Sequence, residues 1–265
     1  MAAGTDTAVH EGNSMSETGP RDLTGKVALV VGGSRNQGAA CARRLAERGA
    51  SVVISYANDE DAAERTRREL AAFGVVAEAV RSDAAVSADV TALFAGVLER
   101  HGRLDIVVHT PGAVLKKPLA EVTDAEFDRM IDLNTRSAFL TLRAAARHLA
   151  DHGRYVILST TLTSVMTGPY GLYSGTKAAV ERMVLAAAKE LGGRGITVNA
   201  VAPGPIDDSF YRAAESAESI EAATHHSPRG RLGLPQDIAP VVGWLVGEEA
   251  GWVSGQTVRA NGAMF

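Results

Sequence analysis

Tyr173 and Lys177 stand four residues apart in the stretch Tyr173-Ser174-Gly175-Thr176-Lys177, at the start of a predicted helix, which places both on one face. A free tyrosine has a pKa of about 10, and a neighbouring ammonium, together with the positive charge of an oxidised nicotinamide, favours the phenolate and lowers that value. Such a tyrosine gives a proton to a carbonyl oxygen during reduction, or takes one from an alcohol during oxidation. The plainer reading of the pair is a half-buried tyrosine with an exposed lysine, so its position in the fold has to carry the assignment. Thr160 follows a predicted strand upstream of Tyr173, and its hydroxyl can hold a substrate carbonyl for attack. It can equally be an ordinary loop threonine beside Thr161, Thr163 and Ser164. Asn134, in Asp132-Leu133-Asn134-Thr135, falls inside a long predicted helix, where asparagine is disfavoured unless its side chain has a buried polar role.

A second group of residues suits a dinucleotide. The first predicted strand runs into Gly32-Gly33-Ser34-Arg35-Asn36-Gln37-Gly38, and a helix follows. A glycine-bearing turn lets backbone N–H groups approach a pyrophosphate, and the helix N-terminus adds partial positive charge. Any strand-to-helix turn favours glycine, so the position after the first strand of an alternating chain gives this one its meaning. Gly32, Ser34, Arg35, Gln37 and Gly38 are the expected contacts. The end of the second strand reads Ile54-Ser55-Tyr56-Ala57-Asn58, with no acid at Tyr56 to accept from a ribose 2′-hydroxyl. Arg35 can pair with a 2′-phosphate, although it can also be a solvated loop charge. Ser55 and Asn58 can add hydrogen bonds, and Tyr56 can pack beside adenine. The pattern favours NADPH over NADH.

The elements that would position these groups alternate along the chain. Short apolar strands are expected over 26–31, 51–56, 75–80, 104–109, 154–159, 196–202 and 256–259. Amphipathic helices fall over 37–48, 59–73, 87–101 and 172–192. Thr123 opens another helix with Glu126 as its capping-box partner, and Pro235 starts the last. Strands that are apolar throughout and alternate with helices imply a parallel sheet covered on both faces: a doubly wound, Rossmann-type α/β fold of about seven strands. Its ligands sit at the carboxyl ends of the strands. Residues 1–21 read as a disordered tail, 22–265 as one Rossmann-type domain, and the polar stretch 205–230 as a substrate lid. Met166, Phe210 and Tyr211 are candidate pocket walls.

With 46% hydrophobic residues among 265, the chain can bury a large core, and its net charge of −4 argues against a nucleic-acid partner. No segment is apolar enough to span a membrane. The single cysteine, Cys41, forms no internal disulfide and fits a reducing, cytoplasmic setting. His225-His226 has no third ligand at metal spacing, so no metal site is expected. His109 titrates in the range that suits catalysis, but its place on the cofactor side favours packing or hydrogen bonding.

Taken together and in order, Gly32 to Gly38, Asp83, Asn134, Tyr173 with Lys177, and Pro203-Gly204 resemble the short-chain dehydrogenase/reductase family over residues 22–265. The resemblance implies a tetrad of Asn134, Thr160, Tyr173 and Lys177, with the lysine on the nicotinamide ribose and the asparagine placing a water beside it. It implies that Asp83 touches adenine, that Gly112, Pro203, Gly204 and Ile206 join the cofactor site, and that four copies assemble through the helices near 124–150 and 172–192. Within the family, the chain is similar to polyhydroxynaphthalene and 3-oxoacyl carrier-protein reductases, through Tyr56-Ala57-Asn58, 126–129, 251–255 and the tail ending at Phe265. The implied substrate is a ketone of an aromatic polyketide or a similar cyclic compound. The chain departs from the family at Asn36 for glycine, at His109-Thr110-Pro111 before Gly112, at Thr160 for serine and at Asp208 for threonine. Two other functions stay open: an imine or iminium reductase, which needs no proton donor, and a non-catalytic NADPH-binding protein.

Overall fold

The computed structural model describes residues 21–165 and 168–264. The predicted tail up to Pro20, Met166 and Phe265 lie outside the described residues. Seven strands form one parallel sheet: β1 (Val27–Val31), β2 (Ser51–Tyr56), β3 (Ala77–Arg81), β4 (Ile106–His109), β5 (Arg154–Leu158), β6 (Thr197–Pro203) and β7 (Thr257–Ala260). Their order is β3-β2-β1-β4-β5-β6-β7. Chain order therefore reverses between β1 and β4, and the crevice for ligands opens at the carboxyl ends of those two strands.

Successive residues of each strand point to opposite faces, so every central strand feeds two cores. Leu29, Val107, Tyr155 and Val198 join one core. Phe94 of α3 (Ser87–His101), Leu140 of α5 (Ser137–His148) and Val184 of α6 (Gly171–Leu191) close over it. Val30, Ile54, Val108 and Leu158 join the other. There the cover comes from α1 (Asn36–Glu47), α2 (Glu60–Ala71) and α9 (Pro235–Val246). Burial on both faces is the reason that the strands read as unbroken apolar runs.

Two segments differ from the sequence expectation. The helix opened by Thr123 is not uniform. It begins as α4 (Asp124–Met130) with the expected capping box, passes through a π-helical segment, Ile131–Arg136, and continues as α5. An apolar repeat cannot report one extra residue in a turn. The polar stretch 205–230 also holds regular structure, α7 (Ser209–Arg212) and α8 (Ala217–His226), neither with a buried residue. These helices have no apolar stripe for sequence periodicity to detect. Among the described residues, no helix is long and apolar enough to cross a membrane.

Candidate active site

The first catalytic candidate follows β5. The chain leaves the strand extended at Thr160 and tightens into a 3-10 turn, Thr161–Thr163. The Thr160 hydroxyl accepts from the backbone N–H of Leu162 at 3.3 Å and hydrogen-bonds Tyr173. Tyr173 and Lys177 sit in the first two turns of α6, both buried. The Lys177 ammonium donates to the Leu158 carbonyl at 2.9 Å, at the end of β5. Asn134 belongs to the π-helical segment and is fully buried. Its Oδ1 accepts from the Ala113 N–H at 2.7 Å, and its Nδ2 donates to the Ala113 carbonyl at 2.9 Å and to Thr176 Oγ1 at 3.0 Å. The asparagine thus ties the loop after β4 to α6. Gly112 lies in that loop, where an added Cβ would stand 2.9 Å from Asn134 Oδ1 and 3.1 Å from Lys177 Nζ. All four tetrad positions converge at the carboxyl end of β4 and β5.

In the cofactor-free protein, burial governs Tyr173. Its pKa is pushed up to about 12: burial raises it most, the Thr160 hydrogen bond lowers it, and the Asp208 charge raises it again. A phenol with little water around it disfavours its anion. Burial pushes Lys177 the other way, down to about 8. The site as it stands holds a protonated acid. His109, at the end of β4, is fully buried, and its pKa lies well below 6.5 because of burial and the Lys177 charge. Its Nδ1 meets Thr141 Oγ1 at 2.9 Å and its Nε2 meets Ser137 Oγ at 3.3 Å, the hydrogen-bonding role expected of it.

The glycine turn is built to take a backbone approach. Gly32 has φ +77°, and a Cβ on Gly38 would lie 2.2 Å from the Gly32 carbonyl oxygen. Asn36 adopts φ +52°, a conformation that asparagine tolerates. Arg35 is the N-cap of α1 and makes no side-chain capping bond, so the first N–H groups of the helix remain available to an anion. Gln37 Oε1 is buried without a partner. Thr110, one of the departures from the family pattern, donates to the carbonyls of Val31 at 2.9 Å and Gly32 at 3.0 Å. It braces the turn that its neighbour Pro111 contacts. Ser55 is buried beneath the same turn, with its hydroxyl 3.4 Å from the Gly32 N–H, and Ser34 accepts from Thr66 at 2.9 Å through its carbonyl.

At the far end of the crevice, Ala57, Asn58, Arg81 and Asp83 line a cavity of about 420 Å³. Tyr56 is half-buried against the core beside it. Asp83 accepts from Ala85 N–H at 2.9 Å, and its own N–H donates to Asp89 at 2.9 Å. Asp59, the nearest acid after β2, is committed to capping α2 through Ala62 N–H at 2.9 Å. With Arg35 exposed and Arg81 donating to the Ala57 carbonyl at 3.2 Å, this end suits a phosphate-bearing ribose. The open cradle, the uncapped helix start and Arg81 beside the end of β2, a strand that itself carries no acid, together fit a phosphorylated dinucleotide. Arg81 escaped the sequence reading because only the pairing of Tyr56 with Arg81 brings β3 beside β2.

Pro203 ends β6, and Gly204 leads on to Ile206, which is buried and pairs with Gly233. Asp208 caps α7 through Tyr211 N–H at 2.9 Å and receives Gln37 Nε2 at 3.5 Å. Asn36 and Ser209 bond each other at 2.9 Å. Two of the departures, Asn36 and Asp208, therefore join the phosphate turn to the start of the 205–230 segment. Its far part is held by Glu215, which takes Lys116 at 2.5 Å and the Tyr170 hydroxyl. Phe210 is the more exposed and Tyr211 the more enclosed of the two aromatic residues singled out there.

Comparison with known proteins is consistent over more than nine-tenths of the chain. The family model described as enoyl-(acyl carrier protein) reductase matches residues 32–264. A hydroxynaphthalene reductase-like protein of Metarhizium robertsii is 38% identical over 260 residues, covering 93% of this chain and 97% of that one. A putative dehydrogenase from Burkholderia cenocepacia, solved with bound NADP, superposes with a TM-score of 0.88 at 38% identity, over 92% of this chain and 95% of that one. An angucycline C-6 ketoreductase with bound NADP gives 0.86 at 35% identity, over 92% and 96%.

Proposed function

This chain belongs to the short-chain dehydrogenase/reductase family, and we propose that within it the protein reduces a cyclic or aromatic-polyketide ketone with NADPH. The observation that carries the reading is the buried Tyr173 hydroxyl, held protonated, bonded to Thr160 and one turn from Lys177. The nicotinamide, when bound, supplies the hydride. Tyr173 supplies the proton to the carbonyl oxygen, and Thr160 shares that oxygen through a hydrogen bond, which fixes the carbonyl for attack. Lys177, anchored on Leu158, holds the positive charge that eases the departure of the proton from Tyr173. Asn134 fixes the loop carrying Gly112 against α6 and keeps Lys177 in its place. The phosphates are taken by the glycine turn, with Ser34, Gln37 and Gly38 around them. Arg35, Asn58 and Arg81 face the 2′-phosphate end, and Ser55 supports the turn from below.

The substrate class draws on the hydroxynaphthalene reductase-like and angucycline ketoreductase relatives, whose names speak of fused aromatic ketones and their hydroxy forms. The 205–230 segment serves as the substrate lid in this reading, supported by its place after β6 and its polar attachments on both sides of the crevice. A homotetramer is part of the same proposal, supported by exposed Phe139 on α5 and Leu185 on α6. The test is Tyr173→Phe against a panel of cyclic ketones with NADPH. It is expected to lower kcat by at least about a hundredfold with NADPH binding unchanged. A variant that keeps its rate would move the acceptor to an iminium, which needs no acid.

A further inference from the structure

We infer that Glu181 is a positioning residue, one that sets Thr160 against Tyr173; the inference rests on the reductase reading given above. Tyr173, Lys177 and Glu181 recur every four residues along α6 and so lie on one stripe of the helix. The first two are absorbed by the tetrad. The third has no assigned part, yet its carboxylate turns back toward the same site. Glu181 Oε1 accepts from Ser159 Oγ at 2.5 Å and from Thr163 Oγ1 at 2.8 Å. These two hydroxyls bracket Thr160, one residue before it and three after. Thr163 Oγ1 also lies 2.9 Å from the Thr160 carbonyl oxygen, so its proton is shared between Glu181 and the backbone of Thr160 itself.

Hydrogen bonds locate the loop: Thr161 Oγ1 donates to the Ala202 carbonyl at 3.1 Å and Ser174 Oγ to the Leu162 carbonyl at 2.8 Å, and Glu181 takes a hydroxyl on each side of Thr160. Of the 3-10 turn Thr161–Thr163, only Thr161 is buried, and an apolar core does not grip the segment. Hydrogen bonds to an ionised carboxylate are shorter and stronger than neutral ones. A proton donor and its partner hydroxyl must hold their geometry to about half an ångström to be productive. Because the carboxylate rides on the helix that carries Tyr173, the acid and the loop take their positions from one rigid element. Glu181 touches neither substrate nor cofactor in this scheme and acts through Thr160.

The experiment is a double-mutant cycle in kcat with NADPH and a cyclic ketone, using Glu181→Ala, Glu181→Gln and Thr160→Ala. Glu181→Ala is expected to lower kcat about tenfold while leaving the Kd for NADPH unchanged. Glu181→Gln, whose amide oxygen still accepts both hydroxyls, is expected to restore most of the rate. In the Thr160→Ala background, Glu181→Ala should cost nothing further. Full additivity, a Gln variant as poor as Ala, or an equal loss of NADPH binding overturns the inference. Ser159→Ala with Thr163→Val removes the same bonds from the other side and covers the case in which Glu181→Ala fails to fold. A crystal structure of these variants separates the two claims. A displaced Thr160 in a protein that reduces no ketone sinks the reductase reading alone. An undisturbed Thr160 overturns the positioning role whatever the activity.

Discussion

Lys177 is an ammonium with 4% of its surface exposed, and its burial can be read out as stability. Its pKa is held near 8 rather than at the ordinary 10.5. Below pH 8 both folded and unfolded chains carry the proton, and folding must bury a charge that water would stabilise. The difference corresponds to about 3 kcal/mol, at about 1.4 kcal/mol per tenfold change in proton affinity. Between pH 8 and 10.5 the unfolded chain keeps a proton that the folded chain has released, so this contribution to stability rises with pH across that window. Lys177→Met removes the charge at nearly constant shape but leaves the Leu158 carbonyl without its donor, a loss of about 1 kcal/mol. The variant, free of cofactor, is therefore expected to be more stable than wild type at pH 7 by about 2 kcal/mol. In Tm that is a rise of about 4–8 °C for a chain of this size. The gap should close and reverse by about pH 10. Tyr173 and Cys41 are each pushed up to about 12 by burial, and their alkaline penalties are common to both proteins. Calorimetry or denaturant titration at pH 7, 8.5 and 10 reads the difference. A variant less stable than wild type at pH 7, or a gap that does not change with pH, refutes the reasoning.

Three further outcomes follow from particular contacts. Gly38→Ala puts a Cβ 2.2 Å from the Gly32 carbonyl oxygen, so the turn must open by about 1 Å. Thermal unfolding and NADPH titration are expected to show a loss of about 1–3 kcal/mol in stability and at least about tenfold in affinity. His109 stays neutral when buried and gains a proton on unfolding below pH 6.5, so stability falls with acid by about 1.4 kcal/mol per pH unit. His109→Asn should flatten that limb in denaturation midpoints between pH 4.5 and 7. Wild type should bind NADPH at least about tenfold more tightly than NADH, worth about 1.4 kcal/mol. Arg35→Ala should erase most of that ratio in a fluorescence titration, and an unchanged ratio counts against its phosphate role.

The sequence disclosed whatever depends on a repeat or a local bond. Burial on both faces made the strands apolar throughout, and the Thr123–Glu126 capping box spans only four residues. Asn134 stood out because a helix interior is a poor place for it unless a buried partner exists, and Ala113 and Thr176 are those partners. Features made by long-range contact stayed hidden. Glu181 looks like any charged residue on a helix until β5 delivers Ser159 and Thr163 to it. The upward shift of Tyr173 in the cofactor-free protein was hidden for the same reason: a neighbouring lysine is visible in the chain, whereas desolvation is a property of everything packed around the phenol. Asn36 and Asp208 read separately as departures, and only the fold shows that they join one bridge.

The π-helical segment Ile131–Arg136 has a consequence for what insertions and deletions do here. An α-helix advances about 100° and 1.5 Å per residue, and a π segment accommodates surplus length without breaking the rod. Removing any one residue from 131–136 would let the helix heal into a continuous α form. With α5 pinned in the core, α4 would keep its facing, because six π-helical residues turn through nearly the same angle as five α-helical ones. Lys117 would keep its pair with Glu126, whereas Asn134, carried by the widened turn itself, would be drawn away from Ala113. Surplus length in this stretch thus aims one side chain: a single codon lost would act at Asn134 and leave the helices on either side facing as before.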